Sequence, residues 1–258
     1  MALTTTLRLV CLLLVAVVVP ARAADLLQAI SAAGEQRMLS QRIVKSFCQM
    51  GMNIQPLAAK AQLDEALHRF DANIERLREP ALGSAEASEA LLALEDLGRG
   101  LRALATGVPS LPAAERLTRQ GDSVLIAAER LTRALTSDLA GGQGRLVNLA
   151  GRQRMLSQRM AKGYLLTSWG TRSPAIREEL ESAALEFAGA LALLRERPEN
   201  TPELQRELED LDLQWEWLRA ALASEGAVTY RLIVVESADA ILGGAERVTR
   251  LYQQLTAR

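Results

Sequence analysis

Two arginine-rich stretches of the chain are nearly identical, and their side chains are of the kind that binds anions. Residues 33–45 read AGEQRMLSQRIVK and residues 150–162 read AGRQRMLSQRMAK, so 10 of 13 positions are identical at an offset of 117 residues. Arginine suits a small planar oxyanion, because its guanidinium donates two parallel hydrogen bonds and does not lose its proton. We name these stretches box 1 and box 2, and they make anion binding the first chemistry to consider.

Residues with other chemistry are scarce. The single histidine, His68, is interpreted as a partly buried helix residue. Cys48 lies in FCQMGM, residues 47–52, whose sulfur atoms leave a copper(I) site as an alternative to ordinary packing. One histidine and one cysteine without a carboxylate cluster do not predict a metal site, and Trp215 and Trp217 are expected to fill a core or an interface. We therefore predict no enzymatic activity, no cofactor and no metal.

The N-terminus has the pattern of a secretory signal peptide. Arg8 precedes an apolar run at residues 9–19, and a small-x-small sequence follows at residues 21–23. The run is shorter than the roughly 20 residues that a transmembrane helix needs, although an uncleaved anchor is the alternative. We assign residues 1–23 to the signal peptide and expect export. Loss of Arg8 and Arg22 would change the formal net charge from −1 to −3, which argues against nucleic acid as a partner.

The composition predicts an all-α fold. Aromatic residues make up only 3% of the chain, and leucine, alanine, glutamate and arginine, which favour helices, are abundant. Proline and glycine divide the chain into runs of roughly 20–30 residues whose apolar positions recur three and four apart. These runs predict sets of four long helices with short connections, each set forming an antiparallel four-helix bundle.

The offset of 117 residues extends over most of the chain and predicts two copies of one module. Pairs such as Phe70 and Phe187 match at this offset without a gap between them. We assign residues 24–141 to the first module and residues 142–258 to the second, with a glycine-rich hinge at residues 141–144.

The topology then predicts how the two modules meet. Four antiparallel helices return the chain to the end where it began, so the first helices of the two modules would lie side by side and run in the same direction. The two tandem bundles would be related by a pseudo-two-fold axis, which is the arrangement of a symmetric homodimer within one chain. End-to-end stacking of the modules is the alternative.

A helical wheel gives each box two contact faces, one of which turns towards the module's own bundle. On the other face, Gly34, Arg37 and Gln41 form a stripe that would meet the same stripe of box 2, with glycine allowing close approach. Arg37 and Arg154 would then face each other, and two guanidinium groups out of water repel unless an anion lies between them. Alternatively, Glu35 neutralises an arginine of the opposite module and no ligand binds. The predicted anion-binding residues are Gly34, Arg37, Gln41 and Arg42 in box 1, and Gly151, Arg154, Gln158 and Arg159 in box 2.

The boxes resemble the P-box of bacterial nitrate/nitrite sensor kinases (NarX-like). They are more similar still to the N-terminal domain of type IV pili methyl-accepting chemotaxis transducers (PilJ-like), and the chain would hold two such domains. The resemblance implies periplasmic four-helix bundles. In the nitrate sensors it implies nitrate binding between paired first helices through the arginine before the box methionine, which corresponds to Arg37 and Arg154. QRMLSQR is the pilus-transducer form of the box, for which no ligand is implied.

These observations lead us to expect an exported, periplasmic sensor-type protein that binds a small oxyanion such as nitrate or nitrite. The sequence ends at Arg258 with no second transmembrane helix and no cytoplasmic domain, so we expect it to report to a separate membrane chemoreceptor or sensor kinase. The alternative is a periplasmic helical scaffold that docks on a chemotaxis or type IV pilus component without a small ligand. A homodimer is a further assembly left open.

Overall fold

The computed structural model forms eight α-helices, with no strand in the residues that it describes, which are 2–81, 83–137, 143–224 and 228–256. Side chains are described within residues 26–81, 83–136, 145–224 and 229–255. The helices are α1 (Ala2–Gly51), α2 (Pro56–Ala81), α3 (Ala85–Ala105), α4 (Leu111–Ser137), α5 (Gln143–Trp169), α6 (Pro174–Arg195), α7 (Pro202–Leu222) and α8 (Val228–Thr256). The predicted all-α fold is confirmed.

The helix boundaries follow from the proline, glycine and capping residues. Pro174 and Pro202 stand at the start of α6 and α7, where the missing backbone N–H would have had no helical partner. The side chain of Thr201 caps α7 by accepting a hydrogen bond from the backbone N–H of Leu204. After α5, Gly170 takes a backbone φ of +108°, a conformation that favours glycine. Short connections of this kind make successive helices antiparallel neighbours.

Helices α1 and α5 lie side by side and run in the same direction. Because α1 to α4 alternate in direction, α1 is antiparallel to α4. On α5, Arg152 pairs with Glu129 of α4, and Lys162, farther along α5, pairs with Asp122 nearer the start of α4. Helix α5 is therefore also antiparallel to α4, and hence parallel to α1, against which it packs closely. The predicted side-by-side arrangement is observed, and end-to-end stacking is wrong.

Reciprocal ion pairs between the modules have the symmetry of a two-fold axis. Lys45 of α1 donates to Asp239 of α8 at 2.5 Å, and Lys162 of α5 donates to Asp122 of α4 at 2.9 Å. Both members of one pair are offset by 117 residues from the members of the other. Each module therefore places its box lysine against the last helix of the opposite module, which agrees with the predicted pseudo-two-fold relation.

One of the two tryptophans expected in a core is there and the other is not. Trp215 is buried and packs on Phe187, with ring centroids 4.9 Å apart. In the first module Phe70 fills the corresponding space above Gly98, where a Cβ atom would lie 2.5 Å from the ring. Trp217 is 73% exposed, because it lies two residues from Trp215 and so on the far side of α7. The expectation that Trp217 fills a core or an interface within the chain is wrong.

Some predicted features of the chain's organisation stay predictions. Helix α1 includes residues 2–23 of the predicted signal peptide, and nothing in the fold tests cleavage or the module boundaries. Gly141 and Gly142 of the predicted hinge lie outside the described residues. Within those described, no helix contains an apolar stretch long enough to cross a membrane.

Candidate functional site

The two boxes lie where α1 and α5 meet, and most of their side chains are buried. Along this contact, which we name the seam, polar side chains form three layers at helical spacing. The layers consist of Arg37 with Arg154, Gln41 with Gln158, and Lys45 with Lys162, all buried. A charge taken out of water is costly unless a partner compensates it, so the partners of each layer determine what the seam can do.

Arg37 has its full set of partners. Its Nη1 donates to Oε2 of Glu129 at 2.6 Å, its Nη2 donates to Oδ1 of Asn148 on α5 at 2.7 Å, and its Nε donates to the carbonyl of Gly34 at 3.5 Å. Burial lowers the pKa of Arg37, and the Glu129 carboxylate opposes that shift. Burial alone would raise the pKa of Glu129, but Arg37 together with Arg152 and Arg133 outweighs it and the pKa is lowered. Both groups therefore stay charged as an ion pair.

Arg154 occupies the corresponding position and lacks such a partner. The residue is only 5% exposed, its Nη2 donates to the carbonyl of Ser31 at 3.4 Å, and its Nε has no hydrogen-bond partner. Of the ion pairs among the described residues, none includes Arg154. Burial lowers its pKa, Glu35 and Glu246 oppose the shift from a distance, and Arg37 adds to it. A buried cation with an unfilled donor is the feature of the seam that most needs a ligand.

A charge reversal between the modules accompanies this difference. In the first module Glu35 of α1 pairs with Arg69 of α2, whereas at the same positions of the second module Arg152 of α5 pairs with Glu186 of α6. Both positions have exchanged charge, so the local ion pair is kept in each module. Glu35 forms its ion pair with Arg69 of its own module and none with Arg154, although its charge acts on Arg154 from a distance, so the alternative in which Glu35 neutralises an arginine of the opposite module stays open.

The two seam arginines also differ in the carboxylate that reaches them from the last helix of their own module. Arg69 also reaches Glu246 of α8, at 3.4 Å. Glu246 is the counterpart of Glu129 at the offset of 117, but it has no ion pair with Arg154, whereas Glu129 pairs with Arg37. The first-module arginine is therefore neutralised from α4, and its second-module counterpart is left without the equivalent carboxylate from α8.

The glycines of the boxes make room for arginine side chains. A Cβ atom on Gly34 would lie 3.1 Å from Nη2 of Arg37 and 3.7 Å from Nη2 of Arg154. The Nη2 atoms of both arginines therefore lie next to this one position, and they can be no farther apart than the sum of the two distances. On Gly151, a Cβ atom would lie 3.1 Å from Nη2 of Arg154. The nearest atoms beside these glycines belong to arginine side chains, and beside Gly34 one of them comes from the opposite box.

The glutamines of the middle layer use their amide nitrogens within the protein. Nε2 of Gln41 donates to Oγ of Ser40 at 3.1 Å, and Nε2 of Gln158 donates to the carbonyl of Ala238 at 3.1 Å. The Oε1 atoms of both glutamines are buried without a hydrogen-bond partner. Ser40 and Ser157 themselves donate to carbonyls one turn back in their own helices. Each amide nitrogen carries two N–H groups; Gln158 uses both, since it also donates to Oγ of Ser157, whereas Gln41 uses one, and the role of the glutamines as donors to an anion stays a prediction.

Arg42 and Arg159 lie away from the seam and have acidic partners in their own modules. Arg42 lies 3.8 Å from Glu65 of α2, and Nε of Arg159 donates to Glu179 of α6 at 2.5 Å. Arg42 and Arg159 therefore do not lie beside Gly34 with Arg37 and Arg154. Their predicted contact with an anion at the seam stays a prediction that the geometry does not support.

Two residues that complete the site were missed in the sequence. Glu129 matches Glu246 at the internal offset, and that match was a usable signal for a carboxylate facing each box. Asn148 aligns with Ser31 of the first module, so the repeat gives no indication that Asn148 would accept a hydrogen bond from Arg37. Both partners come from helices distant in sequence, and only the packed structure brings them to Arg37.

A surface cavity elsewhere in the described residues does not compete with the seam as a functional site. It has a volume of about 320 Å³ and lies where α5 ends and α6 begins. Its charged lining residues are of both signs and partly or fully exposed, so water already solvates them. The residues lining it are Thr167, Thr171, Arg172, Ser173, Pro174, Arg177, Glu178 and Glu181.

The fold and the seam define a class of protein: a tandem pair of four-helix bundles whose first helices meet through buried polar side chains. Comparison with protein families matches residues 23–93 and 135–236 to the PilJ family, described as the type IV pili methyl-accepting chemotaxis transducer N-terminal domain. The two segments cover more than half of the chain, and each contains one box. The chain therefore belongs to the PilJ family, a family of sensory signalling domains.

The family match confirms the PilJ-like part of the predicted resemblance. It gives no support to the NarX-like part, so the P-box of nitrate sensors stays an analogy. No curated protein matches the chain, and no solved structure matches it.

Proposed function

We propose that this protein is an exported, periplasmic sensory protein that binds one small oxyanion at Arg154, within the seam between α1 and α5. The observation that carries the proposal is the environment of Arg154, a buried guanidinium with an unpartnered Nε and no ion-paired carboxylate. Arg37 borders the same space beside Gly34 and adds positive charge. An anion bound there would neutralise a buried charge that the protein itself leaves uncompensated.

The charges around the seam favour a singly charged, planar anion. The guanidinium fork of Arg154 matches two oxygens in one plane, as in nitrate or nitrite. A monoanion would balance the charge of Arg154, which has no ion pair among the described residues, whereas sulfate or phosphate would bring a second charge. The nearby carboxylates of Glu35 and Glu246, which already act on Arg154, would repel that additional charge. We therefore propose nitrate or nitrite as the ligand class.

We propose that the bound state is reported to a separate membrane chemoreceptor or sensor kinase. The support is the family description, which assigns these domains to methyl-accepting chemotaxis transducers. A ligand at Arg154 would contact α1 and α5, one helix from each module. Binding would therefore change the contact between the two modules.

The test is thermal unfolding against nitrate, nitrite, chloride and sulfate. A ligand at 100 times its Kd adds about 2.7 kcal/mol, which raises Tm by roughly 5–10 °C for a chain of this size. Arg154→Gln should abolish the shift. Arg159→Gln is the matched control, because it removes a box arginine that pairs with Glu179 away from the seam, and it should keep the shift.

The second candidate function, a helical scaffold without a small ligand, is favoured by a different observation. Arg37, Lys45 and Lys162 are all paired with carboxylates and join the two modules. In that case the boxes serve only as an interface. No Tm shift with any anion, in the parent or in Arg159→Gln, would exclude the anion receptor and leave the scaffold.

A further inference from the structure

The outer face of α7 presents large apolar side chains to solvent. Leu213 is 63% exposed and Trp217 is 73% exposed. They are four residues apart and therefore lie on the same side of the helix. Three exposed acidic residues share that side within one turn of them. We name this surface the α7 face; its residues are Glu209, Asp210, Leu213, Glu216 and Trp217.

The first module supplies an internal comparison for this surface. At the offset of 117 residues, Leu213 corresponds to Asp96 and Trp217 corresponds to Gly100 on α3. Asp96 and its neighbour Arg99 form an exposed ion pair at 2.8 Å, and the exposed Leu92 stands where the α7 face has Glu209, so the equivalent surface of the first module has one exposed leucine and no tryptophan. The apolar residues of the α7 face are thus not required by the bundle, which forms in the first module without them.

The composition of the α7 face indicates what it binds. Tryptophan and leucine surrounded by charge are typical of a protein-binding patch with an apolar centre and a polar rim. The rim is predominantly acidic: Glu209 and Asp210 lie at one end beside the exposed Arg206, and Glu216, which pairs with Arg219, lies at the other. A complementary partner therefore carries basic residues around an apolar side chain.

Two other occupants fit these charges less well. The cytoplasmic and periplasmic surfaces of bilayers rich in anionic lipid would repel an acidic patch. A second copy of this chain, docked about a two-fold axis, would place one acidic rim against another. Binding to an anionic membrane or to a second copy would remove water from the carboxylates of the α7 face while bringing other negative charges close to them.

We propose that the α7 face is the docking site for a basic amphipathic helix of a protein partner, with Trp217 and Leu213 inserting between its apolar side chains. This site lies on the outer surface of the second module, and it stands or falls independently of anion binding at the seam. The acidic rim selects the partner by charge, and the tryptophan supplies most of the contact area.

The experiment titrates the full chain into a fluorescently labelled helical peptide of about 18 residues, long enough to form a helix on binding. The peptide has leucine at every third and fourth position and lysine elsewhere. Binding should be saturable, should weaken as salt is added, and should weaken at least tenfold in Trp217→Ala. Leu92→Ala, which truncates an exposed leucine on α3, is the matched control and should leave the Kd unchanged. Far-UV circular dichroism and Tm establish that both variants fold.

Three results would overturn the proposal. The first is an equal Kd for the parent and Trp217→Ala. The second is equal affinity for a peptide in which glutamate replaces every lysine, since the acidic rim would then have no role. The third is a dimer in sedimentation, or binding to anionic vesicles, that Trp217→Ala abolishes, because the face would then serve a second copy or a membrane.

Discussion

The two seam arginines should respond in opposite directions when each is replaced by methionine without added oxyanion. Methionine keeps much of the volume and removes the charge. Arg37→Met deletes the ion pair with Glu129 and the hydrogen bond to Asn148. Arg154→Met deletes a buried charge whose one hydrogen bond to the described residues is the 3.4 Å contact with the Ser31 carbonyl. We expect the first change to destabilise the protein and the second to stabilise it.

The magnitudes follow from what each arginine leaves behind. A hydrogen bond to a charged group contributes about 1.5–3 kcal/mol. Glu129 keeps Arg152 as a partner and its side chain is 29% exposed, so for Arg37→Met we expect the lower part of that range, about 2 kcal/mol. Replacing a buried uncompensated charge with a packed apolar group is neutral or stabilising by about 1–4 kcal/mol. For Arg154→Met we expect a gain of about 1 kcal/mol.

Calorimetry or circular dichroism in a buffer free of nitrate, nitrite, sulfate and phosphate would measure both variants. At about 2–4 °C per kcal/mol for a protein of this size, Tm should fall by about 4–8 °C in Arg37→Met and rise by about 2–4 °C in Arg154→Met. An equal fall in both variants would refute the reasoning, because it would mean that Arg154 has stabilising partners comparable to those of Arg37.

Two further predictions concern the charge reversal and the buried thiol. Glu35→Arg alone should lower the free energy of unfolding, measured by urea denaturation, by about 1–2 kcal/mol, because it places a cation against Arg69. Adding Arg69→Glu should restore most of that loss by reproducing the orientation of the Arg152–Glu186 pair, and an unrestored midpoint would count against a simple exchange. Burial raises the pKa of the Cys48 thiol to about 12 from 9.0, so a disulfide reagent at pH 8 should label it about a thousandfold more slowly in the folded protein than in urea. The same shift contributes stability that is present below pH 9 and is lost as the pH rises towards 12, and rapid labelling of the native thiol would contradict both statements.

The helices and their arrangement could be predicted because each depends on local or topological regularity. Apolar spacing and proline or glycine breaks define the helices, and an even number of antiparallel helices in the first module places α5 beside α1. The wrong expectation that Trp217 fills a core or an interface could have been avoided by the same reasoning. Leu211, Trp215 and Leu218 form the buried stripe of α7, and Trp217 is out of phase with it. Residue type favoured burial, but helical phase decides which side a residue faces.

The pairing of charges at the seam could be predicted only in part. The wheel and the duplication bring Arg37 and Arg154 to the same region, as observed. Which carboxylate reaches which guanidinium depends on long side chains from α2, α4 and α8, whose positions no periodicity determines. The reversal at positions 35 and 69, matched at 152 and 186, was visible in the sequence. Only the packed helices show that Glu246 contacts Arg69 and forms no ion pair with Arg154.

A fused pair of modules can do what a symmetric homodimer cannot. In a homodimer, any carboxylate that neutralises one seam arginine would also neutralise the other, because both subunits have one sequence. Here the two halves have diverged at single positions, so Glu129 closes the site around Arg37 while the equivalent Glu246 does not pair with Arg154. Under the proposed function, this asymmetry would leave Arg154 for an anion, while Lys45 and Lys162 pair across the seam. A duplicated chain would thereby separate the interface, which needs paired charges, from the proposed binding site, which needs one that is not.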